Sequence, residues 1–185
     1  EPLLEGDCFM AAHMAEELVS AAQAISGALG SRVIFCLKEK HEEALSALRK
    51  AGGEVFSAKD YYPLGDEVIL IREVLGRAVP EGGLPLDAGV VVNNVETLFN
   101  IHEALRGKPV THTWVFAGGG VVSPGLYRVP LGASARAVLE ASGGVSIPEP
   151  VFVDGGPMMG RYCDNADFPV TKMTKAILAL PRDSL

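Results

Sequence analysis

Arg32-Val33-Ile34-Phe35-Cys36-Leu37, then Lys40 to Ala51, then Glu54-Val55-Phe56-Ser57-Ala58, is the stretch whose reading decides the fold. The outer pieces are short apolar runs containing β-branched and aromatic residues, the composition of strands covered on both faces. Between them Ala44, Leu45 and Leu48 recur at helical spacing on one face. Strand, helix and strand in this order make a β-α-β unit, which implies a parallel pair joined by a crossover.

Working outward, Cys8 to Leu29 reads as a helix whose apolar face is Met10, Met14, Leu18, Ala21 and Ile25, ended by Gly30. Downstream, Tyr61-Tyr62-Pro63-Leu64-Gly65 is a loop, and Asp66 to Leu75 a short helix with acidic residues in its first turn. Gly89 to Leu98 compresses a strand at Val90 to Val92, a polar turn and a helix start into ten positions. Asn93 with Glu96 three residues later fits a capping box, which makes Asn93 the expected cap. The fold class expected for residues 1–107 is therefore α/β, a Rossmann-like parallel layer.

The character changes near Arg106-Gly107-Lys108-Pro109. Thr113 to Ala117, the glycines at 118 to 120, a Ser123-Pro124-Gly125 turn and Leu126 to Pro130 read as a hairpin. Ser134 caps a helix running through Ala141, Gly143-Gly144 ends it, and Val151 to Val153 is a further strand. Hairpin, helix and strand over 108–160 predict a small β-grasp domain. Residues 161–185 are expected to form a C-terminal strand and a connection, returning to the first domain or extending onward. Ala176 to Leu180 is too apolar for a solvated linker.

Of the 185 residues, 48% are hydrophobic and 21% charged, a globular composition. Sixteen basic against 23 acidic residues give a net charge of −7, with no convincing basic cluster, which argues against a nucleic-acid partner. No run approaches the length of a membrane span, so no direct membrane insertion is expected and the compartment expected is the cytoplasm. Cys8, Cys36 and Cys163 lie far apart, unlike a zinc knuckle or an iron–sulfur ligand run, and read as small buried hydrophobes. The four histidines show no paired metal spacing.

Two segments carry candidate chemistry. At Asn93-Asn94 a helix N-terminus offers unpaired N–H groups and the positive end of its dipole to an anion, and a second amide could hydrogen-bond a flat heterocycle. The plainer reading is a helix cap. In Tyr62-Pro63-Leu64-Gly65-Asp66-Glu67, Gly65 would let the backbone approach a ligand closely and Tyr62 could stack on a ring. Asp66 or Glu67 could hold a ribose, a nicotinamide or a flavin edge. The plainer reading is a turn with two N-terminal helix acids. The glycine-rich loops Gly82-Gly83-Leu84-Pro85 and Asp154 to Gly160 lack the spacing of phosphate fingerprints.

Glu1-Pro2-Leu3-Leu4, the Tyr62 to Glu67 loop, Val92-Asn93-Asn94-Val95-Glu96-Thr97, Asp154-Gly155-Gly156-Pro157-Met158-Met159-Gly160 and Pro169-Val170-Thr171-Lys172 occur in the order and spacing of a known family. The chain resembles the Rnf-complex C subunit of electron transport and, more closely, the cobalamin reductases of propanediol-utilising microcompartments. Both are relatives of the 51 kDa FMN-binding subunit of respiratory NADH dehydrogenase. The resemblance covers almost the whole chain and implies an NADH-oxidising flavoprotein. It would bind FMN, pass electrons to iron–sulfur clusters and a downstream acceptor, and carry a soluble-ligand-binding β-grasp domain behind the flavin domain.

Carried over residue by residue, Asn93 and Asn94 match the family's FMN-contacting pair, with Thr97 in the same segment. Tyr62 and Gly65 match the loop over the flavin. Glu67 resembles the carboxylate that helps seat the nicotinamide, Glu1 the acid of the Glu-Pro step beside the flavin, and Asp66 stands where Gly or Glu is also found. The implied partners are other subunits of an electron-transfer complex or an acceptor protein. The implied location is peripheral to a membrane complex or inside a microcompartment.

The family's glycine-rich loop, which cradles the flavin phosphate and NADH, is expected before Glu1, and its cluster-ligating cysteine runs beyond Leu185. The 185 residues thus read as a piece of a longer subunit, expected by itself to be inactive and to bind neither FMN nor NADH tightly. Lys175-Ala176 departs from the Gly-Gly that relatives tend to carry. Two other readings stand beside this one. In the first, a β-grasp module binds a ligand or partner on an α/β scaffold without redox activity. In the second, the chain is a structural adaptor in a larger complex.

Overall fold

A computed structural model describes residues 4–184. The chain divides into two compact units, one of Asp7–Lys108 and the other of residues 4–6 with 109–184. The two sheets are separate.

In the first unit, β1 (Phe35–Lys38) and β2 (Val55–Ala58) pair in parallel, with Phe35 opposite Val55 and Lys38 opposite Ala58. Between them α3 (Glu42–Lys50) buries Ala44, Leu45 and Leu48, the face that the spacing predicts. Gly30 ends α2 (Ala15–Leu29) in the left-handed conformation at φ 61°, as its place after the last apolar residue requires. Leu18, Val19, Ala21, Phe35, Leu45, Leu48 and Leu98 belong to one core. Full burial of a leucine such as Leu18 or Leu48 stabilises by about 1.5–3 kcal/mol.

Two local expectations are corrected. The helix expected from Cys8 to Leu29 is two, α1 (Gly6–His13) and α2, separated by Met14 at φ −127° and ψ 29°. The Met14 N–H still donates to the Met10 carbonyl and Leu18 to that of Met14, so the bend leaves those backbone bonds intact. Val90 to Val92 is not a strand, and Val91 is 68% exposed. β-Branched residues supply propensity, but a strand also needs a neighbour. Among the described residues β1 and β2 form a sheet of two with no third member.

The second unit holds a five-stranded sheet in the order β4-β3-β7-β5-β6. Its strands are β3 (His112–Gly119), β4 (Gly125–Pro130), β5 (Pro150–Asp154), β6 (Arg161–Cys163) and β7 (Ala176–Pro181). The β3–β4 hairpin and α6 (Ala135–Ala141) form where the turn and cap residues place them, with Ser134 accepting from the Ala137 N–H. β7 runs parallel to β3 and antiparallel to β5, the central closing strand of a β-grasp arrangement.

The C-terminal strand expected within 161–185 is β7, and it pairs inside the second sheet. Ala176, Ile177, Leu178 and Ala179 are completely buried, because a central strand is covered on both faces. Residues ahead of β7 complete the unit as well. The Phe168 and Ala166 carbonyls accept from the first N–H groups of α6, at Ala135 and Arg136. Orphan donors of the helix are thereby satisfied from a distant segment.

Candidate functional site

Both candidate segments lie in the Asp7–Lys108 unit and belong to helix starts. The first is the entry to α5 (Val95–Leu105), whose Leu98 anchors it in the core. The N-cap is Asn94, not Asn93: its Oδ1 accepts from the Glu96 N–H at 3.0 Å. Glu96 therefore occupies the second helical position, and the expected box between Asn93 and Glu96 does not form.

Asn94 makes a second contact, with a residue that has no local signal in sequence. Asn94 Nδ2 donates to Asp7 Oδ2 at 2.7 Å, bridging 87 positions of chain. With both ends of its amide engaged, Asn94 is held as the cap, and the side chain of Asn93 is left exposed with no hydrogen bond among the described residues. Thr97 is exposed one turn in, whereas Glu96 is buried.

The second segment leads into α4 (Glu67–Leu75). Leu64 is buried and pins the loop, while Tyr62 stands 76% exposed. The Asp66 carboxylate accepts from the N–H groups of Val68 and Ile69 at 3.0 and 3.2 Å, so this acid caps the helix. Glu67 is exposed in the first turn. A Cβ at Gly65 would meet nothing within 4 Å, leaving open space against its backbone. The family resemblance also places Glu1 at the site; that residue lies outside the described residues.

Beneath this loop the Tyr61 hydroxyl donates to Glu73 Oε2 at 3.4 Å. Loss of water and the Glu73 carboxylate push the hydroxyl above the ordinary tyrosine range. Burial, with Glu73 adding to it, pushes the Cys36 thiol up as well. At the carboxyl ends of β1 and β2, Asp60 receives Lys38 and Lys40, each at 2.6 Å. The two ammonium groups hold its pKa down at about 2.

At the α5 entry an amide with no bond among the described residues stands beside a helix N-terminus, groups that suit a hydrogen-bonding heterocycle or an anion, and the Tyr62 loop separately offers an exposed ring and a glycine without steric cover. A family model described as the Nuo51 FMN-binding domain matches residues 1–103, which take in every one of these positions. The chain belongs to the Nuo51 FMN-binding domain family.

Cobalamin reductase PduS of Citrobacter freundii is 42% identical over 187 residues, spanning 98% of this chain and 42% of the relative. The C subunit of the Na(+)-translocating ferredoxin:NAD(+) oxidoreductase complex of Acetobacterium woodii is 34% identical, spanning 100% of this chain and 43% of that relative. An NAD+-reducing NiFe-hydrogenase, solved in the H2-reduced state, superposes with a TM-score of 0.79 at 20% identity. The match covers 97% of this chain and 38% of that one, and at this identity the likeness concerns the fold. The chain spans about two-fifths of the length of the curated relatives it matches. Those relatives are a reductase and a component of an oxidoreductase complex. Among the described residues no helix is long and apolar enough to cross a membrane.

Proposed function

We propose that this chain is the FMN-binding part of an electron-input subunit that oxidises NADH and delivers electrons through iron–sulfur clusters to a downstream acceptor. The observation that carries the reading is the α5 entry, where Asn94 is spent on cap and tertiary contact and the adjacent Asn93 amide is open. An open amide presents a donor and an acceptor at fixed reach, the pattern needed at the polar edge of a flavin ring. FMN, when bound, supplies the conversion between a two-electron hydride donor and one-electron carriers.

The chain's own residues bind and orient. Asn93 would meet polar atoms of the ring, Asn94 fixes the turn that presents it, and Thr97 stands in the first turn of the same helix. Tyr62 would cover the ring, Gly65 would let the loop approach it and Glu67 would seat the nicotinamide. Asp66 holds the start of α4 and so aims Glu67. The clusters are the next carriers on the proposed path; no three described His, Cys, Asp or Glu side chains gather to hold a metal. The partners are further subunits of an electron-transfer complex, and the place of action is the cytoplasm, at a membrane complex or in a microcompartment.

The test is anaerobic addition of NADH to the FMN-loaded protein expressed from its complete reading frame. The flavin absorbance is expected to bleach, and Glu67→Gln to weaken NADH binding without loss of FMN. Bound FMN that NADH leaves oxidised would contradict the NADH step.

A further inference from the structure

Two adjacent asparagines at a helix start pose a choice, since either can serve as the cap. If Asn93 took that position, its amide would turn onto the backbone of α5 and be lost to a ligand. The residue that settles the choice is Asp7, exposed in the first turn of α1. An ionised carboxylate can only accept, so the Asn94 NH2 faces Asp7 at 2.7 Å and its carbonyl oxygen must face the Glu96 N–H at 3.0 Å. The bond to a charged acceptor is of the stronger kind.

We propose that Asp7 is a positioning residue for the flavin-binding pair: it locks Asn94 as the cap of α5 and thereby keeps the Asn93 amide free for FMN. The assignment rests on the FMN reading above. Asp7 acts through Asn94 and need not touch the ring.

The experiment is an FMN titration of the protein expressed from its complete reading frame, as wild type, Asp7→Ala, Asp7→Asn, Asn94→Ser and the Asp7→Ala/Asn94→Ser double variant. Asp7→Ala is expected to weaken FMN binding roughly 3- to 10-fold, the size of one lost hydrogen bond. Asp7→Asn retains an acceptor oxygen and should stay within about twofold of wild type. The double variant should bind no more weakly than Asn94→Ser, because both changes break one linkage. In the flavin-free protein, the Asn94 side-chain NH2 resonances should shift in Asp7→Ala and stay in place in Asp7→Asn.

Equal FMN affinity for wild type and Asp7→Ala overturns the proposal. So does independent addition of the two losses, or a loss in Asp7→Asn equal to that in Asp7→Ala. Failure of the wild type to bind FMN would remove the flavin reading and this assignment with it. In that case the Asn94 resonances would still report whether the Asp7 bond forms.

Discussion

Replacing Asn94 by alanine removes two bonds at once, the cap to the Glu96 N–H and the bridge to Asp7. Loss of an N-cap costs about 1 kcal/mol. The Asp7 carboxylate is exposed but charged, so losing its partner costs about the usual hydrogen-bond contribution, about 1 kcal/mol. The expected destabilisation of the flavin-free protein is therefore about 2 kcal/mol, a fall of about 4–8 °C in Tm for a chain of this size. Asn93→Ala removes no described bond and should stay within about 0.5 kcal/mol of wild type. Asn94→Ser keeps a capping oxygen and should cost only the bridge. Thermal and urea unfolding followed by circular dichroism decide the matter. If Asn93→Ala is as damaging as Asn94→Ala, the cap sits one residue earlier and the reasoning on the open amide fails.

Ile177→Ala empties a wholly buried site in the central strand of the second sheet and should cost about 2–5 kcal/mol; an unchanged urea midpoint would remove β7 from the core. Asp60, with its folded pKa lowered to about 2 from 3.8, contributes stability that is present above about pH 4 and lost as pH falls through 2. Asp60→Asn should accordingly flatten stability against pH between about 4 and 2, and an unchanged slope would speak against the Lys38–Asp60–Lys40 arrangement. Gly119→Ala forces a Cβ into the Ala179 carbonyl oxygen at φ +74° and should strongly lower the Tm. Gly65→Ala meets open space, so it should leave the Tm in place while weakening FMN; equal Tm losses for the two glycines would refute this contrast.

What could be read from sequence is what local chemistry determines. The β1–α3–β2 unit follows from Ala44, Leu45 and Leu48 on one face between apolar runs, and Asp66, Ser134 and Gly30 act at the helix ends where their side chains or conformational freedom are useful. The misreadings share one cause, dependence on distant chain. Val90 to Val92 has strand composition but no described strand beside it. The apolar Ala176 to Leu180 announces burial, yet its place between β3 and β5 is fixed by pairing with segments far back along the chain. The spacing to Glu96 favours Asn93 as the cap, whereas in the structure Asn94 caps the helix and also binds Asp7, 87 residues away. The candidate site was thus visible as a pair of asparagines and a tyrosine loop, while the division of labour within the pair was not.

The most direct measurement is an FMN titration of wild type and Asn93→Ala, both expressed from the complete reading frame, with Tm recorded in the flavin-free state. An unpaired flavin polar atom costs about 1–3 kcal/mol, so affinity should fall about 5- to 150-fold in Asn93→Ala while the Tm stays where it was. Coincident titration curves for the two proteins, or a wild type that takes up no FMN, would contradict the account.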